Sequence, residues 1–232
     1  MSHYFENDLN LKSEIREINY KYNSSFFTFY SDNGVFSKKG IDYGSRLLLE
    51  SYLEDEQTDK KVLDVGCGYG FIGIVISTIN NSNVDMIDVN KRAVHLTNRN
   101  IKRYKEFNGR AFISDAYENV TEKYEIIITN PPIRVGKEKL LEILNGAFDH
   151  LNKNGCLYFV IRKDQGALSI KKILEENKKV EIINKSKGYY IFKVKNVENI
   201  WHFSSKVVDL LIIFVLIFYI AVHCFIFKIC VL

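Results

Sequence analysis

A glycine-rich segment follows a short apolar run in the first third of the chain. The predicted strand Lys61–Val65 leads directly into Gly66-Cys67-Gly68-Tyr69-Gly70, and the spacing Gly68-x-Gly70-x-x-Gly73 matches a dinucleotide fingerprint. Glycine lets a chain turn sharply from a strand into a helix and lets a ligand approach the backbone. The pattern indicates a nucleotide-like ligand, but a glycine-rich turn that binds nothing gives the same spacing.

Two acidic residues narrow the chemistry of that ligand. Asp64 precedes Gly66 at the end of the strand, where a carboxylate would repel a pyrophosphate and attract an ammonium group. Asp88 ends the next predicted strand, 18 residues after Gly70, and can accept hydrogen bonds from ribose hydroxyls. A ligand with a ribose and an amino-acid head, such as S-adenosylmethionine, therefore fits better than a nicotinamide or a flavin.

The only two prolines of the chain are adjacent, in Asn130-Pro131-Pro132-Ile133. They follow the predicted strand Tyr124–Thr129, and a proline pair ends a strand and stiffens the chain beyond it. The side-chain carbonyl of Asn130 and the backbone carbonyl of Pro131 are two acceptors suited to a planar –NH₂ group, and Ile133 can pack on its ring. The alternative is a loop that only terminates the strand.

Alternating strands and helices must position these residues. The predicted strands are 61–65, 84–89, 111–114, 124–129, 156–161, 179–183 and 189–194, and the predicted helices are 41–53, 71–79, 91–105, 137–151 and 168–176. A hairpin is predicted over 16–22 and 26–30. This order predicts an α/β fold with a mostly parallel sheet, helices on both faces and an antiparallel pair at one edge. Ligands of such sheets bind beyond the carboxyl ends of the strands.

Composition excludes several classes. Four cysteines without Cys-x-x-Cys spacing argue against a disulfide scaffold and a zinc ribbon, and five histidines show no ligand spacing, so no metal site is expected. The polar N-terminus lacks the apolar core of a secretory signal. The net charge of +4 is only mildly basic and does not by itself indicate nucleic-acid binding.

The C-terminal segment is strongly apolar. Residues 210–227 are 18 positions without a formal charge, and as a helix they would span about 27 Å, close to the thickness of a bilayer core. Basic residues precede the segment, which predicts a single-pass anchor with a cytoplasmic catalytic domain. The alternatives are a buried extension or a tail added by a shifted reading frame. The predicted organisation is a hairpin extension (1–40), a catalytic domain (41–195), a linker (196–206) and a single transmembrane helix (207–232).

The motifs together resemble those of class I S-adenosylmethionine-dependent methyltransferases, and in particular the small-domain branch similar to 16S ribosomal RNA guanine N2-methyltransferases. The resemblance runs from about residue 26 to residue 195. The resemblance rests on the glycine loop, on Asp88 and on Asn130-Pro-Pro-Ile. It also rests on four further segments: Gly34-Val-Phe-Ser37, Asp42-Tyr-Gly-Ser45, Ser114-Asp115-Ala116 and Lys187-Gly-Tyr-Tyr-Ile191. It implies a Rossmann-like class I methyltransferase fold with a seven-stranded sheet, and S-adenosylmethionine as cofactor.

The resemblance also implies roles for individual residues. The implied cofactor-binding residues are Asp64, Gly66, Cys67, Gly68, Gly70, Asp88, Asp115, Ala116 and Asn130. The implied catalytic residues, which take the target amine, are Asn130, Pro131, Pro132 and Ile133. The best-known members carry a second, degenerate domain and an aromatic residue after the prolines, whereas this chain has one catalytic unit and Ile133.

The expected reaction is methyl transfer to an exocyclic amine, with guanine N2 of small-subunit ribosomal RNA as the expected target. Such a base must be unpaired or flipped to reach a pocket. The residues expected to contact RNA are Phe36, Arg134, Lys163 and Lys187, and the ribosomal small subunit is the expected partner. The alternatives are methylation of adenine N6 or of a protein glutamine, a membrane-tethered S-adenosylmethionine-binding module without turnover, and a nicotinamide oxidoreductase.

Overall fold

A seven-stranded sheet organises residues 11–196, the part of the chain that this computed structural model describes. Two strands, β1 (Arg16–Tyr22) and β2 (Ser25–Ser31), precede it as a separate antiparallel hairpin. The strands of the main sheet are β3 (Lys61–Val65), β4 (Asn83–Asp88), β5 (Asn108–Ile113), β6 (Tyr124–Thr129), β7 (Leu151–Arg162), β8 (Lys178–Ser186) and β9 (Tyr189–Asn196). The α-helices are α1 (Tyr43–Asp55), α2 (Phe71–Asn80), α3 (Lys91–Ile101), α4 (Lys137–His150) and α5 (Ala167–Leu174).

The strand order is β5-β4-β3-β6-β7-β9-β8. Strands β3 to β7 pair in parallel, and β9 is antiparallel to both of its neighbours. The central strands are buried on both faces by helices, which explains why β6 contains the uninterrupted run Ile126-Ile127-Ile128. The predicted Rossmann-like, mostly parallel seven-stranded sheet with an antiparallel edge and an N-terminal hairpin is therefore confirmed.

The chain changes direction in the sheet between β3 and β6. It runs outward from β3 to β4 and β5, then returns to place β6 on the other side of β3. The parallel register ends with Val65 beside Thr129, so the glycine loop and Asn130 both begin at the same edge. This is the switch point at which open α/β sheets bind their ligands.

The hairpin packs on the sheet domain through aromatic residues. The ring of Phe71, at the start of α2, lies edge-on to Tyr20 and Phe29, with centroids 4.9 and 5.7 Å apart. The side chain of Asn100 in α3 bonds both backbone groups of Tyr30, accepting from its N–H at 2.7 Å and donating to its carbonyl at 2.9 Å. Hairpin and sheet therefore share one hydrophobic core.

Several element ends differ from the sequence prediction. Helix α3 stops at Ile101, not at 105, because the chain turns where Asn100 and Tyr104 are tied to the hairpin. Strand β5 begins earlier than predicted, at Asn108, and Gly109 allows it to pair closely: a Cβ there would lie 1.9 Å from the carbonyl oxygen of Val84. Propensity could not show either contact, since both join residues distant in sequence.

The fold prediction also included a C-terminal transmembrane helix, and this part is corrected. Within residues 11–196, no helix is long and apolar enough to cross a membrane. The segment 207–232 that suggested the helix lies outside the described residues, as does the linker predicted over 196–206 except its first residue, Asn196, which ends β9. The prediction rested on hydropathy and on the flanking basic residues, and the fold assignment stands without a membrane helix. The predicted domain boundary at residue 40 stays a prediction.

Candidate active site

A cavity of about 540 Å³ opens at the carboxyl ends of β3, β4 and β6. Its volume lies within the range of small-molecule sites in proteins. Of the residues predicted for the site, those that line it are Phe36, Gly66, Gly68, Asp88, Asp115, Ala116, Asn130, Pro131, Pro132, Ile133 and Arg134. The fold thus brings together most of the predicted site, although its members span about 100 positions of sequence.

The glycine loop forms one wall of the cavity. The amides of Gly66 and Cys67 both donate to the carbonyl of Ile87, at 2.9 and 3.0 Å, which folds the loop against the end of β4. Gly66 and Gly68 adopt positive φ values of +76° and +59°, and nothing lies within 4 Å of the place where a Cβ would stand at either. The loop therefore presents bare backbone to the cavity, as a bound nucleoside requires.

Asp88 stands beside this loop. One carboxylate oxygen accepts from the amide of Gly68 at 2.9 Å and the other from the amide of Asn90 at 2.8 Å. Burial raises the pKa of Asp88 to about 6, although these amides oppose the shift. A carboxylate has about four lone-pair positions, so each oxygen can still accept a hydroxyl hydrogen. Asp88 therefore fits a ribose with two adjacent hydroxyls.

Three predicted cofactor residues do not line the cavity. The carboxyl of Asp64 is 1% exposed and accepts from the amide of Gly73 at 3.0 Å, beneath the loop. The thiol of Cys67 is buried 3.7 Å from the hydroxyl of Thr97. Gly70 has φ +88° and caps α2, and a Cβ there would lie 2.8 Å from the side chain of Thr97. Asp64 and Gly70 shape the loop, while Cys67 contributes its backbone.

Burial has a large effect on Asp64 because water is excluded from its carboxyl. Burial, and then the charge of Asp88, raise the pKa of Asp64 to about 7, while the hydrogen bond from Gly73 lowers it. Its contact with Gly73 ties the end of β3 to the first turn of α2. Met86 would meet a side chain at Gly73, with its sulfur 2.4 Å from the ideal Cβ, so glycine permits the close packing of helix on sheet.

The turn after β5 supplies another wall. Ser114 is buried, and its hydroxyl donates to the carbonyl of Ala116 at 2.9 Å and accepts from the amide of Asn119 at 3.1 Å. These bonds support Ala116 at φ +44°, a conformation uncommon for a residue with a Cβ. The turn leaves the side chain of Asp115 exposed at the cavity, as an acceptor suited to an adenine amine.

Asn130 has a fixed orientation. Its amide nitrogen donates to the hydroxyl of Ser45 at 2.8 Å and to Oδ2 of Asp42 at 3.1 Å. The same Asp42 oxygen accepts from the amide of Ser45 at 2.8 Å and caps α1. Both amide hydrogens of Asn130 are therefore used, and its Oδ1 remains as an acceptor. The side chain of Thr129 bonds the carbonyl of Val65 at 2.8 Å and fixes the strand end before it.

The residues after Asn130 continue the cavity wall. Pro131 and Pro132 line it in extended chain, and a short 3₁₀ helix, Ile133–Val135, follows. Pro131 lies two positions beyond the last ladder pair of β6 with β3, so its carbonyl is outside the sheet. Ile133 lines the cavity with Arg134 beside it. Asn130, Pro131 and Ile133 therefore lie along one wall of the cavity.

Two predicted substrate residues line the cavity and two do not. Phe36 is 39% exposed and faces it together with Arg134. Lys163 is exposed outside the lining, and its backbone amide donates to the carbonyl of Gly188 at 2.8 Å. The ammonium group of Lys187 lies 4.9 Å from the ring centroid of Tyr43, also outside the lining. Residues close to these lysines in sequence, Arg162, Gln165 and Tyr189, line the cavity, whereas the lysines themselves do not.

Asp42 and Tyr189 are among the lining residues to which sequence reasoning assigned no site role. Asp42 lies in a segment that carried the family resemblance, which was the available signal. Arg162 ends β7 opposite Tyr189 in β9, and its guanidinium lies 5.5 Å from the Tyr189 ring centroid. The Nε of Arg162 is buried and has no hydrogen-bond partner among the described residues, while Nη2 donates to Asp164 at 2.8 Å.

The site fits S-adenosylmethionine on its own geometry. Bare glycine backbone, the carboxylate of Asp88 and the carboxylate of Asp115 occur in that order along the carboxyl edges of β3, β4 and β5. Asn130 and Pro131 follow on the other side of β3, at β6. The cavity therefore has two adjoining walls. The nucleoside wall is formed by Gly66, Gly68, Asp88 and Asp115, and the amine wall by Asn130, Pro131 and Ile133.

Comparisons with known proteins show the family of the chain. The sequence model of the family described as "Methyltransferase small domain" matches residues 26–193. The chain is 42% identical to YbxB of Bacillus subtilis over 199 residues, which cover 84% of this chain and 98% of that protein. It is 31% identical to ribosomal RNA small subunit methyltransferase C of Haemophilus influenzae over 175 residues, covering 73% of this chain and 51% of that protein. The chain thus spans about half the length of that curated methyltransferase.

Solved structures share the fold. The 16S rRNA N2 G1207 methyltransferase RsmC of T. thermophilus, in complex with AdoMet and guanosine, matches with a TM-score of 0.71 and 23% identity, over 81% of this chain and 52% of that one. A ribosomal protein L11 methylase from Lactobacillus delbrueckii matches with a TM-score of 0.56 and 18% identity, over 66% of this chain and 76% of that one. The predicted family, enzyme class and cofactor are confirmed. The chain belongs to the methyltransferase small domain family and is an S-adenosylmethionine-dependent methyltransferase.

Proposed function

We propose that this methyltransferase methylates the exocyclic N2 of a guanine in small-subunit ribosomal RNA. The observation that carries the proposal is the fixed amide of Asn130, whose Nδ2 donates to Asp42 and Ser45 and whose Oδ1 is left to accept. The ribosomal RNA methyltransferases among the relatives support the choice of substrate class. Such a substrate would place the catalytic domain in the cytoplasm.

The amine wall suits the chemistry of a guanine amine. Its lone pair is delocalised into the ring, so the nitrogen is a poor nucleophile. Hydrogen bonds from its two N–H groups to Oδ1 of Asn130 and to the Pro131 carbonyl would hold it with the lone pair facing the nucleoside wall. When bound, S-adenosylmethionine supplies an electrophilic methyl group. No nucleophilic side chain is needed, because the amine itself would attack the methyl group as its bond to sulfur breaks. The proton that the methylated nitrogen loses would pass to water, and most of the rate comes from positioning.

Other residues in this proposal hold the reactants. Asp88 would bind the ribose hydroxyls and Asp115 the adenine amine of the cofactor, while Gly66 and Gly68 admit it close to the backbone. Asp64 and Gly70 act by shaping the loop, and Cys67 through its backbone. Ile133 and Phe36 would contact the faces of the target base. Because the amine wall lies inside the cavity, the base must be unpaired or flipped out of a helix to enter.

Methyl transfer to unmodified small ribosomal subunits tests the proposal. The full chain is incubated with subunits and methyl-labelled S-adenosylmethionine, and the RNA is digested to nucleosides. We expect the label in N2-methylguanosine. The Asn130→Ala variant should lose at least about 100-fold in rate, in the range found when one polar group that stabilises a transition state is removed. Its affinity for S-adenosylmethionine should stay within about threefold of wild type.

Other results would reject the assignment. Normal turnover by Asn130→Ala would remove the role of the amine wall. Label on adenine N6 or on glutamine of a ribosomal protein would assign the same chemistry to a different amine. Tight binding of S-adenosylmethionine without transfer to any subunit component would indicate a binding module.

A further inference from the structure

A basic face runs along helix α3 from the rim of the cavity. Positions 91 to 105 contain six Lys and Arg residues and no acidic residue. These six are Lys91, Arg92, Arg99, Lys102, Arg103 and Lys105. All of them except Arg92 are exposed. The charge of this stretch therefore lies at the surface.

The helix places these charges on one side. Lys91, His95, Arg99 and Lys102 are exposed and spaced three or four positions apart, so they share a helix face. The opposite face, which includes Ala93 and Leu96, is buried against the domain. Asn90 caps the helix and lines the cavity, so the face begins at the rim. It extends about 16 Å from there. The exposed side of α3 together with Arg103 and Lys105 is called the α3 basic face below.

The hairpin orients two of its arginines. The guanidinium groups of Arg99 and Arg103 lie 4.0 and 4.5 Å from the ring centroid of Tyr30 in β2. Such stacking on an aromatic ring holds a guanidinium plane while its N–H groups remain able to donate. Arg103 also pairs with Glu17 at 3.2 Å.

Most of the charge on this face is not neutralised. Within residues 11–196, Arg99, Lys102 and Lys105 form no ion pair with a carboxylate. Preorganised guanidinium groups and uncompensated lysines are the groups that proteins use to hold phosphates.

We propose that the α3 basic face binds the sugar–phosphate backbone of the RNA that carries the target base. The inference rests on the proposed function and adds a binding surface to it. Arg and Lys contacts to phosphates fix the register of a nucleic acid without reading its sequence. Because the face starts at the cavity rim, an RNA strand with one base in the cavity can continue along α3.

Charge reversal on the full chain tests this surface. The variant Arg99→Glu/Lys102→Glu is compared with Lys102→Glu/Lys105→Glu, which keeps both arginines on Tyr30. The matched control is Lys153→Glu/Lys179→Glu, which has the same net charge and alters two exposed lysines near the amino ends of β7 and β8, opposite the cavity. Binding of an unmodified 16S ribosomal RNA transcript is measured between about 50 and 200 mM salt.

We expect both α3 variants to lose at least about tenfold in RNA affinity, and the slope of log K against log salt to fall by about 1.5, the value for two lost phosphate contacts. The control should bind like wild type, and all proteins should bind S-adenosylmethionine equally. Wild-type affinity in the α3 variants, an equal loss in the control, or no binding by wild type would overturn the inference. The methyl-transfer assay on ribosomal subunits tests the proposed function independently of this surface. Wild type that binds the transcript through α3 but labels no guanine would contradict the proposed function and not the binding surface.

Discussion

Asn130 and Ser45 lie 85 positions apart in sequence, and the amide nitrogen of Asn130 donates to the Ser45 hydroxyl at 2.8 Å. Asp42, the N-cap residue of α1, accepts the second amide hydrogen of Asn130 at 3.1 Å. An asparagine with both N–H groups engaged cannot exchange its oxygen and nitrogen without losing two hydrogen bonds. The start of α1 therefore sets which atom of Asn130 faces the substrate.

Removal of the Ser45 hydroxyl should lower turnover and leave cofactor binding intact. We expect Ser45→Ala to reduce kcat by about 10- to 100-fold, since small displacements of positioning groups have effects of that size. Single-turnover methyl transfer and calorimetric titration with S-adenosylmethionine measure the two quantities.

The matched control is Ser51→Ala in the same helix. The Ser51 hydroxyl is buried and accepts from Asn184 at 2.8 Å, away from the cavity lining. A loss of kcat in Ser51→Ala as large as that in Ser45→Ala would assign the effect to the stability of α1.

Cofactor affinity should depend on the protonation of Asp88. Its pKa is raised by burial to about 6, and only the carboxylate form has all of its lone pairs available for ribose hydroxyls. Lowering the pH from about 7.5 to about 5 should therefore raise the Kd for S-adenosylmethionine by about tenfold. The Asp88→Asn variant should bind more weakly at high pH and show a flatter profile. Identical pH profiles for the two proteins would exclude Asp88 as the titrating group.

Asp64 should make the fold more stable as the pH falls. Its folded pKa of about 7 exceeds the ordinary value of 3.8, so the folded state holds the proton more tightly than the unfolded state. This contribution is complete below about pH 4 and is lost as the pH rises through about 7, with a slope of at most about 1.4 kcal/mol per pH unit. Asp88 contributes to stability in the same direction, and its contribution is lost as the pH rises through about 6.

Chemical denaturation at several pH values measures this slope. Asp64→Asn keeps an acceptor for the amide of Gly73 and should flatten the dependence between about pH 5 and 7. Carboxyls with lowered pKa values, such as Asp32 and Asp55, act below this window and do not obscure it. An unchanged slope in Asp64→Asn would contradict the prediction.

A methyl group at Gly68 should block the cofactor without unfolding the domain. Gly68 has φ +59° and no atom within 4 Å of an ideal Cβ, so alanine would add backbone strain of about 1 kcal/mol and project into the cavity. We expect the Kd for S-adenosylmethionine to rise at least about tenfold, a loss of about 1.4 kcal/mol. Gly188→Ala, at φ +81° with the same open surroundings, carries the strain outside the cavity lining. Equal losses of affinity in both variants would attribute the effect to strain.

Much of the fold could be predicted from local pattern. The strands Lys61–Val65 and Tyr124–Thr129 were predicted with their observed bounds, because the glycines or prolines that follow a short apolar run mark the position where the strand ends. The residues just beyond these strands, from Gly66 and from Asn130, were placed at the site for the same reason. The membrane helix that hydropathy predicted over 207–232 lies outside the described residues, and within residues 11–196 no helix is long and apolar enough to cross a membrane.

The sequence by itself determined which backbone segments meet at the carboxyl edge, since the alternation of strands and helices and the glycine and proline motifs are local properties of the chain. Only the tertiary structure decided where side chains point and what they touch. Asp64 could be placed at a strand end, but its carboxyl faces α2 and not the cavity, because successive residues of a strand point to opposite sides. The bonds from Asn130 to Asp42 and Ser45 join residues 88 and 85 positions apart. Such contacts exist only after the sheet has brought β6 beside the start of α1, and no local pattern encodes them.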